Sequence, residues 1–329
     1  MEIRLAINGF GRIGRAVVRS ACKRGDFAIA AINDLMSIEM MAYLLKHDSV
    51  HGTFDEEVRI IDEKTLQIGK HRVVVSHHDS PSAIEAPDVD VAIEATGKFL
   101  RSDLAAGHRR YAKKVIISAP AVDDTPTFVY GVNHTDYAGE PIISNASCTT
   151  NCLAPIAKLV DERYSIQKGL MTTVHSYTID QNLLDSDHKR EIRRARAAAV
   201  NLVPTTTGAA RAIFKVLPSL KGKLDGRSVR VPVADVSLMD LDLVLDREVT
   251  KEELVALFKE AAATSLRGIL AVDEEYRVSS DFLGSSYSSI VAADLIQSLG
   301  TMVKIMSWYD NEWGYANRLL DMAKYITKE

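Results

Sequence analysis

Residues 7–15 read Ile-Asn-Gly-Phe-Gly-Arg-Ile-Gly-Arg, "INGFGRIGR", with Gly9, Gly11 and Gly14 in the G-x-G-x-x-G spacing. Glycines so spaced permit a tight turn, close approach of a pyrophosphate to the backbone, and close packing of the following helix. That helix then turns unpaired N–H groups and the positive end of its dipole toward the phosphates. Spacing alone is a weak signal, because glycines also mark ordinary turns. Here the context agrees: the apolar run Ile3–Ile7 precedes the glycines, and an apolar-periodic stretch from Ile13 to Cys22 follows them. A second apolar run, Phe27–Ile32, leads to Asp34, 20 residues beyond Gly14. A carboxylate there holds the adenine-ribose hydroxyls and repels a 2′-phosphate, which favours NAD over NADP.

Working outward, the same alternation continues. Ser37 reads as the N-cap of a helix through "IEMMAYLLKH", and Val91–Ala95 and Val115–Ser118 read as short buried strands. Strand, helix, strand at this spacing implies right-handed βαβ units and a parallel sheet. The pattern changes near residue 148. "CLAPIAKLV" reads as a helix and "GLMTTVHSYT" as a strand. Long β-type runs follow at Ser228–Val233 and Val236–Leu245, then a helix capped by Thr250, a strand at Val303–Tyr309 and a final amphipathic helix. The expected fold is α/β: a Rossmann-type parallel-sheet domain over 1–147, and a second α+β catalytic domain over 148–311 on a mixed, largely antiparallel sheet. The helical segment 312–329 is expected to pack back onto the first domain.

Bulk properties remove other classes. A chain of 329 residues suits two domains, and 47% hydrophobic with 26% charged residues is an ordinary globular mixture. A net charge of −4 gives no global attraction to nucleic acid or anionic membrane. No apolar run reaches membrane-spanning length, and "MEIRLAINGFGRIGR" has no signal-peptide layout. Three cysteines cannot all pair, so a reduced, cytoplasmic protein is expected.

Two of those cysteines lie four residues apart in "SNASCTTNC", Ser144–Cys152. Cys148 stands at the start of the predicted helix, where the dipole favours a thiolate. Cys152 lies one turn deeper among Leu and Ala. Cys148 is therefore the candidate nucleophile, Cys152 a packed thiol and Cys22 a core residue. No further Cys or His pair has ligand spacing, so no metal site is expected. Of the nine histidines, His175 ends the predicted strand "MTTVHSY". From the residues alone it is either the partner base or a structural histidine. The basic run "HKREIRRAR" is likewise either a solvated loop or a nucleic-acid patch.

The segments "INGFGRIGR", "SNASCTTNC", "TTVHSYT", "RRARAAA", "PTTTGAA", "VRVPVADVS" and "SWYDNEWGY" follow one another through the chain. Together they resemble the phosphorylating glyceraldehyde-3-phosphate dehydrogenase family over the whole length. The resemblance implies that Cys148 is the nucleophile and His175 its partner. It implies oxidation of glyceraldehyde 3-phosphate with NAD and inorganic phosphate, through a thiohemiacetal and a thioester, to 1,3-bisphosphoglycerate. Two anion sites are then required, and arginine grips phosphate through a planar fork. By resemblance, Thr178 and Arg230 take the phosphate of the substrate. Ser147, Thr149, Arg194, Thr207 and Gly208 take the attacking phosphate. The expected cofactor contacts are Asn8, Gly9, Phe10, Gly11, Arg12, Ile13, Asp34 and Ser118, with Asn311 orienting the nicotinamide carboxamide and Tyr315 nearby. The Arg-rich loop becomes one that packs near a neighbouring subunit of a homotetramer. No membrane or nucleic-acid partner is expected as a main role.

Two segments depart from the family pattern. Ile179 stands where Asn is common, and Ser186 and Asp187 stand in a segment often written Asp-Leu-Pro-His-Lys. Ser186 loosens the preference for NAD and Asp187 tightens it. The competing readings are erythrose-4-phosphate dehydrogenase, which hydrolyses its thioester, and an RNA-binding or scaffolding protein on the same fold. The "TTTG" pattern and the Thr of "SYT" count against the first, and the intact Cys148, His175, Arg194 and Arg230 set against the second.

Overall fold

The computed structural model describes residues 2–189 and 191–328 of the chain. Arg190 of the basic run and Glu329 at the end of the terminal segment lie outside the described residues. The chain divides into two compact units, Met1–Ser147 with Tyr315–Glu329, and Cys148–Gly314.

The first unit is built on eight strands. They are β1 (Ile3–Asn8), β2 (Phe27–Asn33), β3 (Val58–Asp62), β4 (Thr65–Ile68), β5 (His71–Ser76), β6 (Val89–Glu94), β7 (Ala112–Ile117) and β8 (Ile142–Ser144). Their order is β3-β4-β5-β2-β1-β6-β7-β8. From β5 to β8 every pair is parallel, as the βαβ reading requires, and β3–β4–β5 add an antiparallel extension. The central strands are apolar and buried on both faces, for example Leu5, Ile7, Val91 and Ile93, as a parallel sheet demands. Helix Arg12–Arg24 buries Ala16, Val17, Val18 and Ala21 and stops at Gly25, whose φ of 73° lets its N–H bond to the Ala21 carbonyl. Ser37 caps helix Ile38–Lys46 through the Met40 N–H.

The last residues of β5, β2, β1 and β6 are Ser76, Asn33, Asn8 and Glu94. The parallel register sets each beside the next. Ser76 Oγ donates to Asn33 Oδ1 (2.8 Å), Asn33 Nδ2 to Asn8 Oδ1 (2.8 Å), and Asn8 Nδ2 to Glu94 Oε2 (2.5 Å). His108 Nε2 meets the same Glu94 oxygen at 2.9 Å, and its Nδ1 meets Tyr111 Oη. A buried polar row thus crosses four strands at their carboxyl ends, beneath the glycine loop. Helix Trp313–Ile326 is bound into this unit from Tyr315 onward, with Asn317 Oδ1 accepting from Ser20 Oγ (2.9 Å).

The second unit carries β9 (Ile166–Ser176), β10 (Val203–Thr206), β11 (Leu224–Val231), β12 (Ser237–Leu245), β13 (Leu270–Asp273), β14 (Ser289–Ala292), β15 (Gln297–Leu299) and β16 (Met302–Tyr309). The order is β10-β11-β9-β12-β16-β14-β13, with β15 on β16. β9–β11 and β13–β14 are parallel and the remaining pairs antiparallel, so the sheet is mixed. β12 alternates strictly between buried and half-buried residues, which places one face on the core. Helix Cys148–Tyr164 packs on that core with Thr149–Ala157 buried throughout. Helix Lys251–Ala263 opens with a full capping box between Thr250 and Glu253.

Candidate active site

Cys148 is the first residue of helix Cys148–Tyr164. Ala146, two residues earlier, is buried and holds a φ of 55°, a left-handed conformation that alanine adopts only under constraint. Its carbonyl accepts the Tyr315 hydroxyl at 2.8 Å. Tyr315 is therefore committed to fixing the turn before the helix.

His175 is the penultimate residue of β9, and the parallel register sets Arg230 of β11 directly beside it. His175 Nε2 lies 3.7 Å from Cys148 Sγ. On the other side of the ring, Nδ1 donates to the Ser176 carbonyl (2.7 Å). That bond places the proton on Nδ1 and leaves the Nε2 lone pair facing the sulfur. Arg230 Nη1 donates to the same carbonyl (3.0 Å) and lies 2.9 Å from Nδ1. The Arg230 Nε is buried with no acceptor among the described residues. A buried cation short of acceptors is ready to take an anion.

The electrostatics assign roles. Burial, and then the Arg230 charge, bring His175 down to about 3, so the ring is neutral at neutral pH and can accept a proton. Burial pushes the Cys148 thiol up, against the opposing pull of Arg230 and of hydrogen bonds from Thr149. In the free protein burial holds the thiol toward its protonated form, beside a neutral His175. Asp235 is buried near Asp310 and Glu312, and burial followed by those two carboxylates lifts it to about 9.

Tyr309, fully buried at the end of β16, joins the two sides of the site. Its hydroxyl bonds to Thr149 Oγ1 (2.9 Å) and Thr173 Oγ1 (2.8 Å), and its ring meets the His175 ring edge-on at 6.0 Å. Cys152 is different. Its sulfur is fully buried, 3.5 Å from Ser289 Oγ, and burial pushes it to about 12.

Arg194 lies in the loop after β9. Its Nε donates to Thr205 Oγ1 (2.8 Å) and pairs with Glu191 (3.2 Å), and its Nη1 is ion-paired to Asp180. Asp180 also accepts the Thr178 hydroxyl, so one carboxylate ties together residues assigned to different anion sites. Thr207 Oγ1 accepts from Ala209 N (3.3 Å), and Gly208 caps the turn Ala209–Ala212 with open space where a Cβ would be. The structure thus brings Cys148, His175, Arg230 and Thr149 into one cluster, and Thr178 and Arg194 into a second. Tyr309, Thr173, Asp180, Glu191, Thr205 and Asp235 escaped the sequence reading. Asp180 had a signal: a half-buried arginine needs a carboxylate, and one stands two residues beyond Thr178.

The first unit fits a dinucleotide. Gly9 has a φ of +94°, and a Cβ there would meet the Thr96 N at 2.6 Å; one on Gly14 would meet the Gly9 carbonyl O at 2.1 Å. A Cβ on Gly11 would meet nothing within 4 Å, which leaves room for a phosphate to approach the backbone. Among the described residues no side chain caps helix Arg12–Arg24, whose start therefore fits an anion. Asp34, immediately after β2, accepts Phe10 N on Oδ2 (2.6 Å) and Met36 N on Oδ1 (3.0 Å), keeping a lone pair on each oxygen for ribose hydroxyls. Ser118 follows β7 at the same edge, its N–H on the Glu94 carbonyl (2.9 Å). Arg12 is ion-paired to Asp48. In the second unit, Asn311 Oδ1 accepts from Ser176 Oγ (2.9 Å) and Ser237 Oγ (2.7 Å), which turns its NH₂ into the group offered to a ligand.

Residues 3–102 match the family model for the glyceraldehyde 3-phosphate dehydrogenase NAD binding domain, and residues 147–311 the model for its C-terminal domain. The chain is 50% identical to glyceraldehyde-3-phosphate dehydrogenase 1 of Bacillus cereus over 332 residues, covering 99% of each chain. It is 50% identical to the Geobacillus stearothermophilus glyceraldehyde-3-phosphate dehydrogenase over 334 residues, covering 100% of this chain and 99% of that one. Against the chloroplastic glyceraldehyde-3-phosphate dehydrogenase A of Chlamydomonas reinhardtii it is 48% identical, covering 100% of this chain and 90% of the other.

Proposed function

The chain belongs to the glyceraldehyde-3-phosphate dehydrogenase family, and from that premise we propose that Cys148 and His175 carry out the oxidation of glyceraldehyde 3-phosphate. The observation that carries the assignment is the 3.7 Å approach of Cys148 Sγ to the unprotonated nitrogen of a neutral histidine. His175 Nε2 takes the thiol proton, and the sulfur attacks C1 of the aldehyde. A C–S bond forms, the carbonyl opens, and the oxygen takes the proton to give a thiohemiacetal. NAD, when bound, supplies the acceptor for the hydride that leaves C1. His175 Nε2 removes the hydroxyl proton in the same step, and a thioester remains on Cys148. Inorganic phosphate then attacks the thioester carbon, the C–S bond breaks, and 1,3-bisphosphoglycerate leaves. The Arg230 charge pulls the Cys148 thiol toward the thiolate and keeps His175 unprotonated in the resting enzyme.

Arg230 and Thr178 hold the substrate phosphate, with the acceptor-poor Arg230 Nε as support. Arg194, Ser147, Thr149, Thr207 and Gly208 hold the attacking phosphate. Asn8–Ile13, Asp34 and Ser118 bind the cofactor in the first unit, and Asn311 orients the nicotinamide amide. The protein works as a cytoplasmic homotetramer. The exposed apolar side chains Leu183, Leu184, Ile192, Val200 and Leu202 on the Arg-rich loop support subunit contact there.

The test is NADH formation from protein, NAD and glyceraldehyde 3-phosphate with and without phosphate. Turnover that needs phosphate upholds the reading, and phosphate-independent turnover points to thioester hydrolysis. Arg194→Leu raises the apparent KM for phosphate about tenfold or more and leaves a burst of NADH. Arg230→Leu weakens use of the aldehyde by a similar factor and suppresses the burst. The opposite pattern in stopped flow exchanges the two assignments.

A further inference from the structure

We infer that Asp180 is a built-in anion that occupies both phosphate sites of the free enzyme and couples their filling; this rests on the assignment of Thr178 and Arg194 above. One carboxylate oxygen accepts the Thr178 hydroxyl and the other pairs with Arg194 Nη1. Thr178 belongs to the substrate-phosphate site and Arg194 to the attacking-phosphate site, so Asp180 stands in for a phosphate oxygen at each. The second carboxylate on Arg194, Glu191, is more firmly held. It accepts from Thr205 Oγ1, from Thr206 N (3.1 Å) and from Thr206 Oγ1 (3.4 Å), besides pairing with Arg194 Nε. Among the described residues Asp180 has two side-chain partners, Thr178 and Arg194, and its side chain is 43% exposed against 22% for Glu191. Of the two anions, Asp180 is the one that can swing out.

Arg194 is therefore no open cation in the free protein. A phosphate arriving beside it meets two carboxylates and must expel one. When the substrate phosphate claims Thr178, Asp180 loses one of its two donors and its hold on Arg194 loosens. The guanidinium then becomes available to the second phosphate. Filling of one site thus promotes filling of the other through a single side chain, in both directions. Asp180 also lies close enough to Arg230 and His175 for its charge to be felt at each, so its departure strengthens the net positive field at the substrate end. Asp180 touches neither reacting atom and is a positioning residue.

The experiment titrates inorganic phosphate by calorimetry into the full-length wild type, Asp180→Asn, Asp180→Ser and Arg194→Leu, then measures steady-state kinetics of each. Asp180→Ser answers the objection that a carboxamide still accepts from Thr178. The expected result is several-fold tighter phosphate binding in both Asp180 variants, with apparent KM for phosphate and for glyceraldehyde 3-phosphate both lowered several-fold while kcat stays within about twofold of wild type. The dependence of one KM on the concentration of the other reactant disappears with the carboxylate. Phosphate binding equal to or weaker than wild type in both Asp180 variants overturns the inference, because the carboxylate would then be orienting Arg194 rather than competing for it. Undiminished phosphate binding in Arg194→Leu, with tightening at Asp180, would upset the assignment of Arg194 and the coupling with it, leaving Asp180 a competitor at Thr178 alone.

Discussion

Cys148 and Cys152 are one turn apart on the same helix, and everything around them differs. Cys148 opens the helix, half-buried, with the His175 imidazole 3.7 Å away and the Arg230 cation behind it. Cys152 sits a turn deeper, fully buried, against the Ser289–Ser307 hydroxyl pair (2.7 Å). Burial raises both thiols, but only Cys148 has a cation pulling the other way and a neutral base to take its proton. The difference between the two thiols is thus one of neighbours, and those of Cys148 are supplied by β9 and β11.

The comparison breaks most completely if Cys148 is dispensable. Cys148→Ser is expected to lower NADH formation on the order of 10⁴-fold or more, the scale of nucleophile deletions elsewhere. Activity within tenfold of wild type would remove Cys148 from the chemistry. His175→Asn comes next, with an expected loss of about 10²–10⁴-fold for a missing general base and a matching drop in the burst rate. It also tests the buried neutral ring. Because burial takes His175 from 6.5 to about 3, the unfolded chain binds the extra proton between those values. Folded stability conferred by the neutral ring is therefore lost as pH falls from 6.5 toward 3. Thermal melts in that window should fall less steeply for His175→Asn, and unchanged slopes would mean that the ring is charged or exposed.

A smaller difference is expected in alkylation. Iodoacetamide should label Cys148 at least about tenfold faster than Cys152, whose thiol near 12 carries almost no thiolate at pH 8. Fragment-ion mass spectrometry locates the adduct, and first labelling at Cys152 reverses the roles. The smallest effect is Cys152→Ser. Activity should stay within about twofold and stability within ~1 kcal/mol, since the hydroxyl can still meet Ser289. A folded but inactive Cys152→Ser would give that thiol a part in catalysis.

The elements that read clearly from sequence are those in which local signal and burial agree. The glycine loop, β1 and β2, the Ser37 and Thr250 caps and the start of the Cys148 helix are of this kind. The antiparallel β3–β4–β5 extension was not legible, because Val58–Asp62 is largely exposed and carries no alternation toward a core. The C-terminal segment was legible as a helix from its amphipathic spacing. The site was legible only in part. Cys148 and His175 are marked by helix start and strand end, but Arg230 meets His175 only through strand register. Tyr309 acts through contacts that cross the chain, where no local pattern points to it, and Asp180 had only the weak signal of a carboxylate close to Thr178. The thiol's upward displacement was invisible too, since it depends on how deeply the site is packed.

The polar row Ser76–Asn33–Asn8–Glu94–His108 has a consequence for how this sequence can change. Each member satisfies its neighbour inside a buried layer, so a replacement at one position strands a donor or acceptor at the next. Two replacements that suit each other are then less harmful than either alone, and effects measured singly do not add. Variation along these five positions is expected to travel in sets, with Glu94 the hardest to exchange. Its carboxylate answers Asn8, His108 and both the N–H and the hydroxyl of Thr96. The floor of the cofactor loop is spelled as one word across four strands, and single-letter edits leave it unreadable.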